Sequence, residues 1–281
     1  MKKRFFTGVV YASLICAVLI FACSKKDVAS TSSHGTSGTQ SVALYLTDGP
    51  GIFDSVYIAV NNVALVVDTC SKSAYNYFDQ SCAVTDTVNF SPAVYNVTAL
   101  TNGLDTVLAS GSVHQGTIKR INISLGSGSY LVKNGVKYPL SMYPGVDSNF
   151  VIQLNGNEFQ VTSTNISTLW LDFEVQNSIY VLNNGTFYLR PYIRIFAEQA
   201  TGTLSGQILP RDATPVISVY NSTDTLYAIP SGNGNFSVRG LAAGTYSVFI
   251  NPSNGYVDTT ITGVSITPSR NTSIGTITLH K

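Results

Sequence analysis

The sequence predicts an all-β protein made of two β-sandwich-like domains that follow an N-terminal signal peptide. Only 11% of the 281 residues are charged, so helix formers such as Glu and Lys are sparse. The chain has 23 glycines and 16 tyrosines instead, and short apolar stretches alternate with polar residues. Such alternation is typical of half-buried strands. The formal net charge of +1 provides no basic surface, so we expect no nucleic-acid partner.

The first 22 residues have the organisation of a signal peptide. The basic stretch Lys2–Arg4 precedes an uncharged, mainly apolar run over Phe5–Phe21, which is shorter than the roughly 20 residues of a membrane-spanning helix. Ala22 then precedes Cys23, an order that resembles the lipobox of bacterial lipoproteins. The resemblance implies removal of residues 1–22 and a lipid on Cys23. Ordinary cleavage near Ala22 and an uncut anchor are the alternatives.

Residues 23–40 form a tether rich in Ser, Thr and Gly, a composition that favours a flexible coil. A lipid at Cys23 would hold the protein in the outer membrane of a Gram-negative envelope, facing either the periplasm or the cell surface. We therefore expect the membrane to be a partner of this protein through the lipid anchor.

Period-two alternation begins at Ser41, where Val42, Leu44 and Leu46 share one strand face. We predict a first β domain over residues 41–198. Its further strands are predicted at Val56–Val60, Val63–Val67, 85–90, 117–125, 150–155, 168–175, 178–182 and 186–196, with one short helix over Ser91–Ala99.

Cys70 and Cys82 remain in the chain after processing. An even pair of cysteines in an exported protein is most simply a disulfide. No second Cys or His pair has the spacing of metal ligands, so we expect neither a metal site nor a cofactor.

Several short motifs stand in order along the first domain. They are LTDGP at 46–50, LTNG at 100–103, GTIKRI at 116–121, LDFE at 171–174, SIY at 178–180 and YLRPYIR at 188–194. This set resembles the DUF4382 family, a β-rich domain of bacterial lipoproteins, over nearly all of residues 41–196. The family has no established activity, so the resemblance implies no catalytic residues.

Residues 201–281 carry a second set of motifs. GTLSG opens the segment at 202–206, NGNFSV follows at 233–238, and RGLAAGTY covers 239–246. The pattern resembles the carboxypeptidase regulatory-like domain, a transthyretin-type sandwich of about seven strands without zinc chemistry. Phe236, Leu241 and Tyr246 are expected in its core. We place the boundary between the two domains at residues 198–201.

Catalytic motifs are absent from the sequence. The three histidines, His34, His114 and His280, lie in the tether, in a predicted turn before a strand and next to the last residue. We therefore predict that the protein is not an enzyme, although a glycoside hydrolase that uses two carboxylates needs no histidine. Asp48, within the turn-like motif at 47–50, is interpreted as a turn residue, with a calcium ligand as the alternative.

The segment LWLDFEV at 169–175 is the most informative stretch for binding. Alternation places Leu169, Leu171, Phe173 and Val175 in the core and the other three residues on a polar face. The segment at 188–196 divides in the same way. The outward residues are the candidate ligand-binding residues, namely Trp170, Asp172, Glu174, Tyr188, Arg190 and Tyr192.

Two interpretations of this polar face compete, and they are compatible. In the first, Asp172 and Glu174 pair across strands with Arg190 and Arg194, and the face is structural. In the second, the aromatic residues form an exposed stacking platform, and flanking charged groups orient the hydroxyls of a ligand. A protein interface or a cation site that uses Asp172 and Glu174 is the remaining alternative.

These observations predict a lipid-anchored envelope protein with a binding or adhesion role, and with a carbohydrate or glycan as the leading ligand class. The alternative is a structural or assembly component that docks other envelope proteins through its β edges.

Overall fold

The computed structural model describes residues 38–70, 80–154 and 167–281. Strands dominate these residues, which confirms the predicted all-β class. The signal peptide, Cys23 and most of the tether lie outside the described residues, and the predictions made for them stay predictions. No helix in the described parts of the chain is both long enough and apolar enough to cross a membrane.

Among the described residues between 39 and 197, fourteen strands form the N-terminal sandwich. They are β1 Thr39–Thr47, β2 Ser55–Asp68, β3 Ala83–Thr87, β4 Ala93–Asn96, β5 Thr106–His114, β6 Thr117–Leu125, β7 Tyr130–Lys133, β8 Val136–Pro139, β9 Ser141–Met142, β10 Asn149–Gln153, β11 Ser167–Phe173, β12 Ile179–Val181, β13 Phe187–Leu189 and β14 Ile193–Ala197. One sheet has the order β14-β11-β1-β5, with β1 and β11 parallel. A larger sheet has the order β10-β6-β2-β7-β8, with β3 and β4 also paired to β2. A small sheet has the order β12-β13-β9.

Alternation places one face of each large sheet in a shared core. In β1 the side chains of Val42, Leu44 and Leu46 are buried, as predicted. In the larger sheet, β2 contributes Ile58 and Leu65 to the same apolar cluster. Removal of this surface from water holds the sheets together, at roughly 25 cal/mol per Å² of apolar area.

Two local predictions are wrong. The segment at 91–99 is not one helix, because β4 pairs with Tyr57–Val60 of β2 and only the 3₁₀ turn Val97–Ala99 follows it. The stretch at 186–196 is not one strand either, since Pro191 separates β13 from β14 and proline has no N–H to donate to a ladder. In both places pairing partners distant in the sequence outweigh the local pattern.

His114 also differs from its predicted position in a turn. It is the last residue of β5, and its Nδ1 lies 2.7 Å from Oδ1 of Asp86. The half-exposed imidazole is therefore held by a hydrogen bond to Asp86 on the protein surface.

Seven strands form the C-terminal sandwich. They are β15 Thr201–Leu209, β16 Val216–Tyr220, β17 Thr225–Ala228, β18 Asn235–Ala242, β19 Gly244–Asn251, β20 Thr259–Ile266 and β21 Asn271–Thr278. The sheets have the orders β18-β15-β21 and β17-β16-β19-β20. Phe236, Leu241 and Tyr246 are buried in a second apolar cluster, as expected. The carboxypeptidase regulatory-like identity of this segment and the domain boundaries stay predictions.

The predicted disulfide between Cys70 and Cys82 is confirmed. It joins the end of β2 to the 3₁₀ turn Gln80–Cys82 that precedes β3. The bond therefore links the two ends of the connection between the paired strands β2 and β3.

The C-terminal sandwich covers the outer face of the sheet that contains β1, β11 and β14. Asn102 donates a hydrogen bond from Nδ2 to the carbonyl of Ile229 at 2.8 Å. Gly240, with φ of +73°, lies so close to the ring of Phe196 that a Cβ would be 2.7 Å from Cδ1. Arg239 pairs with Asp105 at 2.5 Å. These contacts bury a face that the sequence pattern assigns to solvent.

Candidate functional site

The structure divides the six predicted ligand-binding residues between two places. Trp170 and Asp172 lie in β11, and Glu174 follows at its end, against the C-terminal sandwich. Tyr188 lies in β13 of the small sheet, and Arg190 and Tyr192 flank Pro191 in the connection to β14. The two places adjoin, because the N–H of Glu174 donates to the carbonyl of Tyr192 at 3.1 Å. The six residues do not form one exposed surface, however, since Trp170 and Asp172 are buried.

Trp170 is buried, with 9% of its surface exposed, which corrects the prediction of an exposed platform. Its ring stacks between Tyr45 and Phe196, with centroid distances of 5.5 and 5.7 Å. Its Nε1 donates a hydrogen bond to Oδ2 of Asp105 at 2.9 Å, and the guanidinium of Arg239 lies 6.0 Å from the ring centroid. Both ring faces are occupied by side chains, so no ligand can stack on Trp170.

The other aromatic candidates form a separate cluster. The ring centroids of Tyr143 and Tyr188 are 6.1 Å apart, and those of Tyr143 and Tyr180 are 5.5 Å apart, both in edge-on geometry. Tyr192 and Arg190 are exposed nearby along the chain. Local sequence pattern gives no signal for Tyr143, because its place beside Tyr188 depends on the parallel pairing of β9 with β13.

Arg194 connects the acidic residues that the sequence analysis identified. Its Nη2 donates to Oδ2 of Asp172 at 2.8 Å, and its Nε lies 2.7 Å from Oε1 of Glu174. Its Nη1 reaches Asp224 of the C-terminal sandwich at 3.4 Å. The expected cross-strand pairing is thus observed for Arg194. Arg190 makes no ion pair within the described part of the chain.

Burial sets the ionisation of this group. Burial raises the pKa of Glu174, the charge of Asp172 raises it further, and the charge of Arg194 opposes both effects. Burial alone would lower the pKa of Arg194, but the carboxylates of Asp172, Glu174 and Asp224 together raise it. The guanidinium therefore stays charged and compensates the carboxylates around it.

Asp48 is the functional candidate whose position differs most from its interpretation as a turn residue. It follows β1, and because β1 and β11 are parallel it reaches the same sheet edge as Asp172 and Glu174. Its Oδ1 accepts a hydrogen bond from the N–H of Val175 at 3.2 Å, whereas its buried Oδ2 has no partner among the described residues. Burial, with the charges of Asp172 and Glu174, raises the pKa of Asp48 well above its usual range.

A cleft of about 460 Å³ opens between the two sandwiches at this edge. Asp48, Asp172, Glu174 and Arg194 line this cleft. We call the three acidic residues, Asp48, Asp172 and Glu174, the acidic cluster. Exposed apolar side chains also line the cleft, including Ile52, Tyr227 and Ile229. Sites for small ligands commonly have a volume of roughly 300–1,000 Å³, lie between domains and combine apolar walls with a few convergent polar groups. The cleft has each of these properties.

A sequence comparison identifies the family. The domain of unknown function DUF4382 matches residues 39–191, which is more than half of the chain. The chain belongs to the DUF4382 family. This finding confirms the resemblance of the first domain, and the acidic cluster lies within the DUF4382 region. No curated protein matches the chain.

Solved structures resemble this DUF4382 protein only weakly. A cohesin–X-dockerin complex from Acetivibrio cellulolyticus is 28% identical over 28% of this chain and 56% of that chain, with a TM-score of 0.24. A minor pilin of Streptococcus agalactiae is 14% identical over 85% and 96% of the two chains, with a TM-score of 0.22. A shaft pilin from Lactobacillus rhamnosus GG is 12% identical over 86% and 97%, with a TM-score of 0.23. The chain spans about half the length of the first of these structures.

A second group of ligating atom types lies elsewhere in the DUF4382 region. The side chains of Asp68, Cys70 and Cys82 lie within 4.8 Å of one another. Because the two sulfur atoms are bonded to each other, they are not thiolates and do not ligate a metal. The group therefore belongs to the disulfide rather than to a metal centre.

Proposed function

We propose that this protein binds a carbohydrate, without catalysis, in the cleft between its two sandwiches, and that it does so from a lipid anchor in the bacterial outer membrane. The observation that carries the proposal is the cleft itself, where fixed polar groups meet exposed apolar and aromatic side chains. Carboxylates and guanidinium groups exchange directional hydrogen bonds with hydroxyls, and aromatic rings stack on the apolar faces of sugars.

The acidic cluster supplies hydrogen-bond partners that are held in place before a ligand arrives. Arg194 fixes Asp172 and Glu174 from the neighbouring strand, and the backbone of Val175 fixes Asp48. Binding then loses little side-chain entropy, because the polar groups are already ordered. The same ion pairs support a non-catalytic role, since carboxylates tied to one guanidinium are poorly placed to exchange protons with a substrate.

Tyr227 is the side chain best placed to stack on a sugar in the cleft. It lies in β17, lines the cleft and is 52% exposed. Tyr220 offers a matched control, because it is an exposed tyrosine on the adjacent strand β16 that does not line the cleft.

A glycan array probed with the full chain tests the proposal, followed by calorimetry on the retained glycan. We expect Tyr227→Ala to weaken binding about twofold to twelvefold, from an aromatic contribution of roughly 0.5–1.5 kcal/mol. Tyr220→Ala should leave the affinity unchanged. Failure to retain any glycan, or equal affinities for the two variants, would contradict the carbohydrate proposal. Capture of another envelope protein on the same surface would then favour the docking alternative.

An enzymatic assay separates binding from hydrolysis. The retained glycan should remain intact during long incubation with the protein. Turnover that is lost in Asp172→Asn would contradict the non-catalytic proposal and favour the carboxylate-based glycoside hydrolase.

The lipid anchor is tested separately by labelling cells with radioactive palmitate. We expect label on the wild-type protein and on Cys16→Ser, since Cys16 lies within the signal peptide and leaves with it. Cys23→Ser should carry no label. Persistent labelling of Cys23→Ser would overturn the anchor assignment.

A further inference from the structure

The charges along the cleft do not balance. Asp172, Glu174 and Asp224 pair with the single guanidinium of Arg194, and the carboxyl group of Asp48 interacts electrostatically with Asp172 and Glu174. The other arginine that lines the cleft, Arg239, is paired with Asp105. The excess of acidic groups favours a ligand that brings a positive charge.

Two carboxylate oxygens at this place are buried without a partner. They are Oδ2 of Asp48 and Oδ1 of Asp172, each without a hydrogen bond from the described residues. The two residues are only 6% and 7% exposed, and both line the cleft. Buried acceptors in folded proteins are normally satisfied, so two unsatisfied acceptors in one cleft indicate where a ligand donates hydrogen bonds.

We infer that the carbohydrate bound in this cleft carries a protonated primary amine, whose ammonium group donates hydrogen bonds to Oδ2 of Asp48 and Oδ1 of Asp172. The inference rests on the proposed carbohydrate-binding function and narrows it to amino sugars with a free amine. An ammonium group offers three donors and a full positive charge, whereas a hydroxyl offers one donor and no charge. N-acetylation removes the charge and two of the donors, so the acetylated sugar loses both advantages.

Binding of the ammonium is coupled to the ionisation of Asp48. The charged groups that act on Asp48 are Asp172 from β11 and Glu174 from the end of that strand. Arg194 from β14 and Arg239 from the C-terminal sandwich also line the cleft, and Asp224 pairs with Arg194. Because burial raises the pKa of Asp48 above its usual range, this carboxyl holds its proton more tightly in the free protein than an exposed aspartate does. The ammonium favours the ionised carboxylate, so binding promotes release of this proton, and the affinity rises with pH over the range in which the amine of the sugar stays protonated.

Calorimetry on the full chain tests the inference with three matched probes: a trimer of β-1,4-linked glucosamine, its fully N-acetylated counterpart and a β-1,4-linked glucose trimer. We expect the glucosamine trimer to bind at least tenfold more tightly than the other two. Its affinity should fall as the solution is acidified, and proton release should show as a dependence of the heat on the buffer. These comparisons use only the wild-type protein, so they do not depend on the folding of any variant.

The outcomes separate the inference from the proposed function. Equal affinities for the three trimers would overturn the amine assignment and leave carbohydrate binding intact, whereas no binding of any trimer would overturn the amine assignment and count against the proposed function.

Asp48→Asn should reduce the preference for glucosamine to less than threefold, and Asp258→Asn, an exposed charge-matched control away from the cleft, should preserve it. Calcium chloride alone should give no saturable heat. A calcium isotherm that is lost in Asp48→Asn would overturn the inference in favour of a metal cation.

Discussion

Replacement of Arg194 by methionine is the most direct test of how the acidic cluster is held. Methionine has a similar length and no charge, so the substitution removes the cation and keeps much of the packing volume. It leaves Asp172 and Glu174 with side chains only 10% and 20% exposed and without their guanidinium partner. Asp224 is 43% exposed and can be solvated, so its loss of a partner matters little.

The expected loss of stability follows from this difference in burial. Removing one partner of a buried ion pair costs about 3–5 kcal/mol, since the remaining charge is buried without compensation. The exposed pair with Asp224 adds at most about 1 kcal/mol. We therefore expect Arg194→Met to lower the free energy of unfolding by about 3–5 kcal/mol.

Denaturant unfolding of the full chain, followed by tryptophan fluorescence, measures this effect. Trp170 is the only tryptophan and lies in β11 beside β14, so its emission reports on the affected sheet. Arg190→Met is the matched control, because Arg190 is exposed and lies four residues away in the sequence. We expect the control to change stability by less than about 0.5 kcal/mol.

Lowering the pH should reduce the loss of stability in Arg194→Met. Glu174 already has a raised pKa because of its burial, and loss of Arg194 makes its charged form still less favourable. Protonation of the carboxyl groups removes the uncompensated charge, so the difference between variant and wild type should be largest at neutral pH and shrink as the pH falls. Equal losses for Arg194→Met and Arg190→Met, or a deficit independent of pH, would refute this account.

Three further predictions test the remaining contacts. The free energy of unfolding of Asp48→Asn should rise relative to that of the wild type as the pH increases above 3.8. The reason is that the folded wild type holds the proton on Asp48 more tightly than the unfolded chain does, so loss of that proton destabilises the folded wild type. Equal pH profiles of the two proteins in denaturant melts would contradict this. Gly240→Ala should cost about 1–3 kcal/mol more than Gly255→Ala, since both have a positive φ but only the first places a Cβ against Phe196, and similar melting temperatures would exclude that contact. Cys82→Ala should lose roughly 3 kcal/mol by opening a loop with a sequence separation of 12, and unchanged stability under oxidising conditions would argue against a structural disulfide.

The strand pattern of the chain can be predicted from the sequence. Val42, Leu44 and Leu46 alternate with polar residues and are buried on one face, and Phe236 and Tyr246 lie in the second core as expected. The pairing of Cys70 with Cys82 also followed from the number of cysteines and from the predicted signal peptide. These predictions depend only on local periodicity or on the number of cysteines. None of them requires knowledge of residues that are distant in the sequence.

The candidate site can be predicted only in part from the sequence. Alternation correctly placed Trp170 and Asp172 on the face opposite Leu171, but it assigned that face to solvent. Nothing in the local pattern of β11 shows that a second sandwich covers the sheet. Likewise, Asp48 has the sequence context of a turn, and its place in the acidic cluster depends on the parallel pairing of two strands more than 100 residues apart.

The sequence by itself determined which residues form strands and which face of each strand is the more apolar, because side-chain direction in a strand alternates along the chain. Only the tertiary structure decided what covers the other face. The C-terminal sandwich buries the second face of β11, adds Asp224 to the acidic partners of Arg194 and leaves a cleft between the two halves. The physical reason is that solvation of a polar side chain is set by neighbours distant in the sequence, and the burial and charge that define this site arise only when those neighbours meet.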